Sequence, residues 1–256
     1  DMEGSRGLGD VYKRQKELNG ITFNSVGLGT EINNIAVLYN ADDCIEFFGG
    51  AAVARNIFCY KGLDDGIDTT DGARVFLQKG VIVARSFQGA AEDNDRHMVE
   101  ADSSKNDQAN QTLRSHPVLV NFTFLGDENS QGLRLRRGTN YTLVNSVMAF
   151  VARWCLNQEG ANEMTFETNV FSGCPSADPI AAFITDEIST NDLQLQGWVP
   201  RASSPLLEGA MDMEEMDSFF PSDDELNEAF ETAYDATDFR GAVGEDDWTQ
   251  WIQIRQ

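Results

Sequence analysis

Residues 42–50 read DDCIEFFGG, and residues 64–72 read DDGIDTTDG, 22 positions further along the chain. The Asn-Ile pair at residues 34–35 returns at residues 56–57 with the same spacing. Over the 17-residue window that begins at the first of these asparagines, six positions are identical. A repeat of this length is typical of proteins that stack one structural unit on copies of itself.

The repeated units are built from short β-prone stretches separated by Gly, Asn and Asp clusters. The stretches alternate between apolar and polar residues or stay apolar over a few positions, and they lack the i, i+3, i+4 spacing of helical repeats. They also lack the LxxLxL spacing of leucine-rich repeats. The pattern predicts an all-β chain that forms a right-handed parallel β-helix with about 22–25 residues per turn. The stretches are IAVLY (35–39), NIFCY (56–60), GVIVA (80–84), NFTFL (121–125), SVMAF (146–150) and MTFETNVF (164–171).

Asparagine recurs at one position of the repeat, just before a β-prone stretch. Asn tolerates a left-handed bend there, and stacked side-chain amides can hydrogen-bond along the column. We therefore interpret the column as a ladder of turns; a polar binding stripe is the alternative. The column consists of Asn34, Asn56, Asn121, Asn145 and Asn169.

The beginning of the chain differs from the rest. Residues 5–15 read SRGLGDVYKRQ, which is the translation of the transposase adapter used to prepare DNA sequencing libraries. A natural basic linker is the alternative. We therefore interpret residues 1–15 as adapter-derived and disordered, and we place an N-terminally truncated β-helix at residues 16–207. The chain would then be the C-terminal part of a longer gene product.

The last part of the chain departs from the repeat pattern. Residues 208–247 contain fifteen Asp and Glu residues against one Arg. A capping box at residues 222–225 precedes apolar residues at helical spacing, which predicts an amphipathic helix at about residues 223–235. An open β-helix exposes backbone and core at its last turn, so we expect residues 208–256 to cap that end through the helix or the aromatic tail. A helix that binds a partner is the alternative.

The formal net charge of the chain is −23. This balance argues against a nucleic-acid partner, because a phosphate backbone needs a basic surface. No apolar run reaches the 18 or so residues of a membrane-spanning helix, so we expect no transmembrane segment. We expect the protein to be a monomer.

The four cysteines include no CxxC pair, which argues against a structural zinc site. In the 22-residue register, Cys59 falls in an apolar column, whereas Cys44 falls in the column of Gly66. Because the columns differ, the sequence predicts no disulfide between these two cysteines, and Cys59 is interpreted as a small buried apolar residue. The pairing of Cys155 and Cys174 stays open.

The repeated Asp-Asp pairs place carboxylates above one another in successive turns. Strands of neighbouring turns lie about 4.8 Å apart, so these carboxylates repel unless they are protonated, turned apart or bridged by a cation. Calcium suits them, because it takes six to eight oxygen ligands in irregular geometry. The alternatives are turns in which Asp caps backbone N–H groups and a catalytic carboxylate pair. The candidate calcium ligands are Asp42, Asp43, Glu46, Asp64, Asp65 and Asp68.

A second candidate site lies in the stretch LRLRR. Strand alternation directs Arg134 and Arg136 outward while Leu133 and Leu135 point inward. Two guanidiniums on a rigid strand, with Arg137 beside them, can bind a carboxylate or sulfate through paired hydrogen bonds. These arginines are therefore candidate substrate-binding residues. Ion pairs with neighbouring acidic turns are the alternative.

A resemblance adds to this reading. The stretch ADDCIEFFGG…LDDGIDTTDG, followed by HMVEAD at 97–102, LRLRRGT at 133–139 and GAVGEDDWTQW at 241–251, resembles a family of uncharacterised bacterial secreted or lipid-anchored proteins. That family belongs to the pectate-lyase-like parallel β-helix superfamily. The resemblance implies a location outside the cell or on its outer surface, with a signal or lipid-anchor segment before the repeats. It implies no particular reaction.

Three functions remain open at this stage. The first is a secreted or cell-surface β-helix that binds polysaccharide, with calcium stabilising it. The second is a polysaccharide lyase or hydrolase; many lyases of the resembled fold hold a uronate carboxylate with calcium and use Lys or Arg to abstract a proton. The third is a structural or adhesive surface module. Serine-hydrolase, zinc-protease and nucleotide-binding motifs do not occur in the sequence.

Overall fold

A computed structural model gives the fold, and it describes residues 18–85, 96–105 and 114–254, apart from residues 128, 152, 161, 185–187, 217–218 and 221–222. The adapter-like segment lies outside the described residues. The described chain winds into a right-handed parallel β-helix of about six turns, which confirms the fold that the repeat predicts. No helix in the described ranges is long and apolar enough to cross a membrane.

The described strands are mostly short, because each turn of the coil is interrupted by bends. In chain order they are β1 (Ile21–Asn24), β2 (Glu31–Leu38), β3 (Ile45–Phe48), β4 (Ala51–Tyr60), β5 (Ile67–Thr70), β6 (Arg74–Val83), β7 (Val99–Asp102), β8 (Val118–Leu125), β9 (Gln131–Arg136), β10 (Asn140–Val144), β11 (Val147–Ala149), β12 (Trp154–Glu159), β13 (Glu163–Glu167), β14 (Val170–Ser172), β15 (Leu195–Gln196) and β16 (Val199–Pro200). The helices are α1 (Met213–Met216), α2 (Asp224–Ala233) and the 3₁₀ segments Pro179–Phe183, Pro205–Leu207 and Trp248–Trp251.

Two parallel sheets form the walls of the coil. The first sheet has the order β1-β3-β5-β7-β9-β12. The second has β2, β4, β6, β8 and β10 in successive turns, with β13 at its edge, and β11 and β14 continue its last two turns. Inward side chains from both walls form one continuous apolar core.

The ladder of turns lies inside the second sheet. Asn34, Asn56 and Asn121 have φ angles of 57°, 55° and 56°, so each bends its strand through the left-handed region. The Asn56 amide donates to the Asn34 side-chain oxygen at 3.0 Å, as the ladder interpretation expects. Asn145, at φ 51°, takes the same position between β10 and β11.

The ladder differs from the predicted column at two positions. Lys79 occupies it in β6, at φ 61°. In the last turn the bend falls on Thr168, at φ 52°, rather than on Asn169. The Asn169 amide instead accepts from the Ser146 backbone N–H at 2.8 Å and donates to the Leu143 carbonyl at 2.7 Å. In the last turn the left-handed bend and the asparagine side chain therefore fall on two neighbouring residues, Thr168 and Asn169, instead of on one.

The prediction that Cys44 and Cys59 do not pair is wrong. They form a disulfide with a Cα–Cα distance of 5.9 Å. Their two columns face each other across the core: one turn later a Cβ on Gly66 would lie 2.5 Å from Cγ2 of Ile82. Residues in one column sit in neighbouring turns, so a bond across the core requires different columns.

The remaining two cysteines are also joined. Cys155 and Cys174 form a disulfide with a Cα–Cα distance of 5.6 Å. Cys155 occupies the repeat position of Cys44, which in this turn is the second residue of β12. The two disulfides therefore cross the coil from the same column, near its two ends.

The segment 178–184 covers the last turn of the coil. Ile180 is fully buried in the core, and the Phe183 ring meets the Phe166 ring at 4.8 Å. The Asp178 carboxylate accepts from the backbone N–H groups of Cys155, at 2.6 Å, and Leu156, at 3.1 Å. These bonds satisfy donors at the start of β12, which is the outermost strand of the first sheet in the described chain.

Residues 188–254, here called the C-terminal arm, lie along the outer face of the second sheet instead of over its end. Phe230 of α2 packs on Phe76 of β6 at 5.4 Å between ring centroids. Trp198 packs on Phe58 of β4 at 4.8 Å. The helix thus forms within the predicted region, but the expectation that it covers the last turn is wrong. Many outward residues of the second sheet are apolar, and the arm buries them.

Side-chain amides of the second sheet fasten the arm. Gln78 donates to the Asp235 carbonyl at 2.7 Å and accepts from the Asp235 N–H at 2.9 Å. Asn145 makes the same pair of bonds with Met211, at 3.0 and 2.7 Å. Asn121 donates to the Phe239 carbonyl at 2.8 Å. Polar side chains at and beside the bend therefore hydrogen-bond to backbone groups of the arm. Without them, these groups would lose their hydrogen bonds to water, with no replacement, when the arm packs on the sheet.

Replacing Phe230 tests whether the arm is part of the folded unit. Phe230→Ala removes a fully buried ring and should lower the free energy of unfolding by about 3–5 kcal/mol. Urea unfolding monitored by circular dichroism measures this. Glu228→Ala on the exposed side of the same helix is the control and should change it by less than about 0.5 kcal/mol. Equal stability of the two variants would contradict the packing described.

Candidate functional site

The outer face of the first sheet, here called the charged face, carries two columns of charged and polar side chains. Leu133 and Leu135 are fully buried in the core, so the residues that alternate with them point outward. The first column is acidic in β3, β5 and β7 and basic in β9. In strand order the first column is Glu46, Asp68, Glu100 and Arg134, and the second is Asp102, Arg136 and Glu159.

Carboxylates meet at the end of the charged face formed by β3 and β5. Single oxygens of Asp43, Glu46 and Asp68 all lie within 4.8 Å of one another. A second group with the same spacing comprises Asp42, Asp43 and Asp64, which lie in the bends just before β3 and β5. The stacking of turns therefore brings five of the six predicted calcium ligands into two groups that share Asp43.

Two of the predicted ligands also cap turns. Asp43 accepts from the backbone N–H of Asp65 at 3.0 Å, one turn later. Asp65 accepts from the backbone N–H of His97 at 2.5 Å, again one turn later. This is the backbone-capping alternative that the sequence left open.

Asp68 has the clearest opening for a ligand. Its Oδ1 atom is buried and makes no hydrogen bond to any described residue. Burial raises the pKa of Asp68 well above its usual range, and the carboxylates of Asp43 and Glu46 raise it further. Burial also raises the pKa of Asp43 to about 8, with Asp64 as the next cause. This end of the face therefore favours protons or a cation over bare negative charge.

A buried histidine connects the acidic and basic ends. His97 Nδ1 lies 2.9 Å from Asp65 Oδ1 and 3.4 Å from Glu100 Oε2. Burial lowers the pKa of His97 to about 3, and nearby guanidiniums, first that of Arg134, lower it further, so the imidazole is neutral at pH 7. Its ring also packs against Trp154 at 5.3 Å.

Sequence reasoning missed His97, Glu100 and Asp102. The repeat visible in the sequence has a spacing of 22–24 residues, whereas β7 follows β5 by 32 residues in register. The stretch HMVEAD at 97–102 contains all three, but only as part of a resemblance. The sequence offered one signal for this site: Glu100 and Asp102 are two acids at alternating, and therefore outward, positions of a β-prone stretch.

The arginines at the basic end form ion pairs with neighbouring acids. Arg136 donates to both oxygens of Asp102 at 2.8 Å and also contacts Glu100. Arg137 contacts Asp102 as well. Burial raises the pKa of Asp102 to about 6 against the opposing effect of Arg137, so its carboxylate stays ionised at neutral pH. Arg134 pairs with Glu100 at 3.4 Å and with an exposed acid of β12 at 2.9 Å.

The two ends can therefore do different chemistry. The cluster at β3 and β5 offers carboxylate oxygens, the ligands that hard cations prefer. The arginines at β9 are held in fixed positions by acids, as the ion-pair alternative expects, and their outward placement is as predicted. An anionic ligand at β9 would have to share these guanidiniums with the acids that already hold them.

Comparison with known proteins names the family. A family model described as a pectate-lyase-like β-helix domain matches residues 7–197. The chain belongs to the pectate-lyase-like β-helix family. No curated protein and no solved structure matches it.

Membership in the pectate-lyase-like family accounts for the coil and its two sheets. The family match ends at residue 197, so most of the C-terminal arm lies beyond it. It begins at residue 7, inside the adapter-like segment, whose origin stays a prediction. The charged face lies wholly within the matched part of the chain.

The ion pair between Arg136 and Asp102 provides a test of the basic end. Arg136→Gln leaves a carboxylate that is 3% exposed without its bidentate partner, and we expect the free energy of unfolding at pH 7 to fall by about 3 kcal/mol. Urea unfolding measures the change. Glu163→Gln weakens a pair with Arg114 at a side chain that is 70% exposed, and should cost less than about 1 kcal/mol. Equal losses would show that the Asp102 pair is no stronger than a surface pair.

Proposed function

We propose that this pectate-lyase-like β-helix is a secreted or cell-surface protein that binds polysaccharide on its charged face and is stabilised by calcium. The observation that carries the proposal is the separation of charge on one rigid surface, with carboxylates at β3 and β5 and guanidiniums at β9. A linear ligand lying across the turns would meet both ends. Neighbouring strands present a contact about every 4.8 Å along it.

The residues at the acidic end fit a calcium ion. Asp43, Glu46 and Asp68 converge with single oxygens, and the Oδ1 atom of Asp68 lacks a partner among the described residues. Asp42 and Asp64 lie in the adjoining group. Bound calcium would neutralise these carboxylates and offer its remaining coordination positions to sugar oxygens.

Chelation tests the calcium part of the proposal. Calcium at about 100 times its dissociation constant should add about 2.7 kcal/mol to the stability of the protein, so the melting temperature should rise with calcium and fall with EGTA. Asp68→Asn should abolish most of this difference. Asp71→Asn, an exposed residue with φ 53° that Asn tolerates, is the matched control and should keep it. An identical melting temperature with calcium and with EGTA would overturn calcium binding.

The disulfides support a location outside the reducing cytosol. Cys44–Cys59 and Cys155–Cys174 are both formed, and such bonds persist mainly in secreted and surface proteins. One disulfide lies near each end of the coil. A surface location would expose the charged face to cell-envelope or environmental glycans.

A polysaccharide lyase or hydrolase is the second candidate. The observation behind it is the adjacent pair of carboxyl groups of Glu46 and Asp68, because glycosidases use two carboxyl groups. Arg134, the candidate lyase base, stands in the same column two strands beyond Asp68. Incubation with a bound glycan, followed by assays for unsaturated products and new reducing ends, distinguishes lyase, hydrolase and binding protein.

Glycan binding itself is tested on an array and then by calorimetry in calcium. We expect wild-type protein to bind at least one polysaccharide, and Arg134→Gln and Arg137→Gln to weaken that binding about tenfold each. Arg201→Gln, an exposed residue of the arm, is the control and should bind as the wild type does. A structural or adhesive module would bind no glycan on the array, and that result would overturn the proposal.

A further inference from the structure

The stretch GAVGEDDWTQW at residues 241–251 packs on the second sheet and takes no part in the charged face. Most of it anchors the C-terminal arm. Ala242 is buried against outward residues of the second sheet, and its backbone N–H donates to the Thr123 hydroxyl at 2.8 Å. The indole N–H of Trp248 donates to the Ala242 carbonyl, also at 2.8 Å. These contacts fix both ends of the acidic pair that lies between them.

That acidic pair, Glu245 and Asp246, has no anchoring role of its own. Both side chains are exposed, and their carboxylates form no hydrogen bond or ion pair with any described residue. They line a pocket of about 490 Å³ between the arm and β6. The exposed side chain of Asp238 lines the same pocket and likewise has no partner in the described chain. The pocket is here called the arm pocket, and its walls include Lys79, Asp238, Phe239, Glu245, Asp246 and Trp248.

The arm pocket has an aromatic wall that is not part of the core. Phe239 is half-buried and belongs to none of the four apolar clusters of the described residues. Its ring lies against the backbone of Gly244, where a Cβ would be only 2.4 Å from Cε1 of Phe239. Glycine at this position therefore lets the ring lie close to the residues that precede Trp248. A ring placed among carboxylates can still contribute, because its negative face attracts a cation.

Trp248 provides a second aromatic wall. The residue is half-buried, packs with Phe58 and Val81 beneath the arm, and also lines the arm pocket. Because its N–H is already bonded to the Ala242 carbonyl, the indole is held in place. It therefore offers a ligand ring surface rather than a hydrogen-bond donor, and Trp is the aromatic residue that attracts cations best.

The charge of the arm pocket selects the class of ligand. Lys79 is the only cation among the described residues that line it, and its ammonium pairs with the Asp235 carboxylate. The carboxylates of Asp238, Glu245 and Asp246 are left without a counter-charge. A metal ion would make no use of the two rings, and a neutral molecule would make no use of the carboxylates. An organic cation uses both, because its charge faces the acids while its alkyl groups lie on the rings.

We propose that the arm pocket binds an organic ammonium group. The ammonium charge lies near the carboxylates of Asp238, Glu245 and Asp246, and its methyl or methylene groups contact the rings of Phe239 and Trp248. Choline and polyamines supply such a group as free molecules, and a lysine side chain supplies it on a protein. The arm pocket lies on the second-sheet side of the coil, so the proposal does not depend on glycan binding to the charged face.

Calorimetry with four small probes tests the class of ligand: choline, its neutral isostere 3,3-dimethylbutan-1-ol, spermidine, and Nα-acetyl-lysine N-methylamide. We expect at least one cationic probe to bind at least tenfold more tightly than the neutral isostere, with an affinity that falls as salt rises. Binding of the lysine derivative without choline or spermidine would assign the pocket to a protein partner, and the reverse would assign it to a free cation. Equal affinity for the neutral isostere, or no binding of any probe, would overturn the proposal.

Two variants locate the binding. The double variant Glu245→Gln, Asp246→Asn removes two exposed carboxylates, so it should leave the melting temperature unchanged yet weaken the cationic probe about tenfold. Phe239→Leu keeps apolar bulk beside Gly244 but removes the ring, and should also weaken the probe about tenfold.

The matched control is the double variant Glu225→Gln, Glu228→Gln. It removes two exposed and equally unpaired carboxylates of the same arm that lie outside the arm pocket, so the affinity should not change. An equal loss in this control would show general attraction to an acidic arm and would overturn the site. Binding by Phe239→Leu as tight as that of the wild type would overturn the assignment of the ring.

Discussion

Hydrogen bonding between successive turns governs every other feature of this protein. Each interior strand of the first sheet pairs in parallel with the strand one turn before and one turn after it, so a residue's neighbours are fixed by its column. Inward columns build the core, outward columns of the second sheet receive the arm, and outward columns of the first sheet collect charge. A substitution therefore acts on the residues above and below it more than on its sequence neighbours.

The same constraint produces the electrostatic character of the charged face. Stacking at about 4.8 Å forces Glu46 over Asp68, where two bare carboxylates repel. Further along, the column changes sign, and Arg136 pairs with Asp102 across the strands. The fold thus concentrates repulsion at one end and neutralises it at the other. A cluster of carboxylates at one end and guanidiniums paired with acids at the other, on one rigid surface, is the arrangement from which we argue polysaccharide binding.

The C-terminal arm covers the outer face of the second sheet. The second sheet has apolar residues on both faces, as Phe76 on the outer face and Leu77 on the inner face illustrate, and an apolar outer face needs a cover. Polar side chains near the bend, among them Gln78 and Asn145, bond to the backbone of the arm and fix where it lies. The asparagine ladder, which the sequence indicates only as a series of turns, therefore also holds the arm in place. Asn145, for example, bonds to Met211, more than 60 residues further along the chain.

Much of the fold was readable because the repeat is local. A 22-residue echo, β-prone stretches and Asn at the bends specify a stacked coil, and the outward placement of Arg134 follows from alternation alone. The Asp-Asp turns were recognisable as stacked for the same reason. The roles of Asp43 and Asp65 as backbone caps were among the alternatives, but the sequence could not choose between them.

The sequence by itself determined the period, the strands and which residues stack in neighbouring turns of equal length. Only the tertiary structure decided what lies across the core and outside it. It joined Cys44 to Cys59, brought His97 beside Asp65 over a longer turn, and laid Phe230 on Phe76. The physical reason is that stacking follows from spacing along the chain, whereas contacts between walls and with the arm depend on side-chain volume and burial, which no repeat encodes.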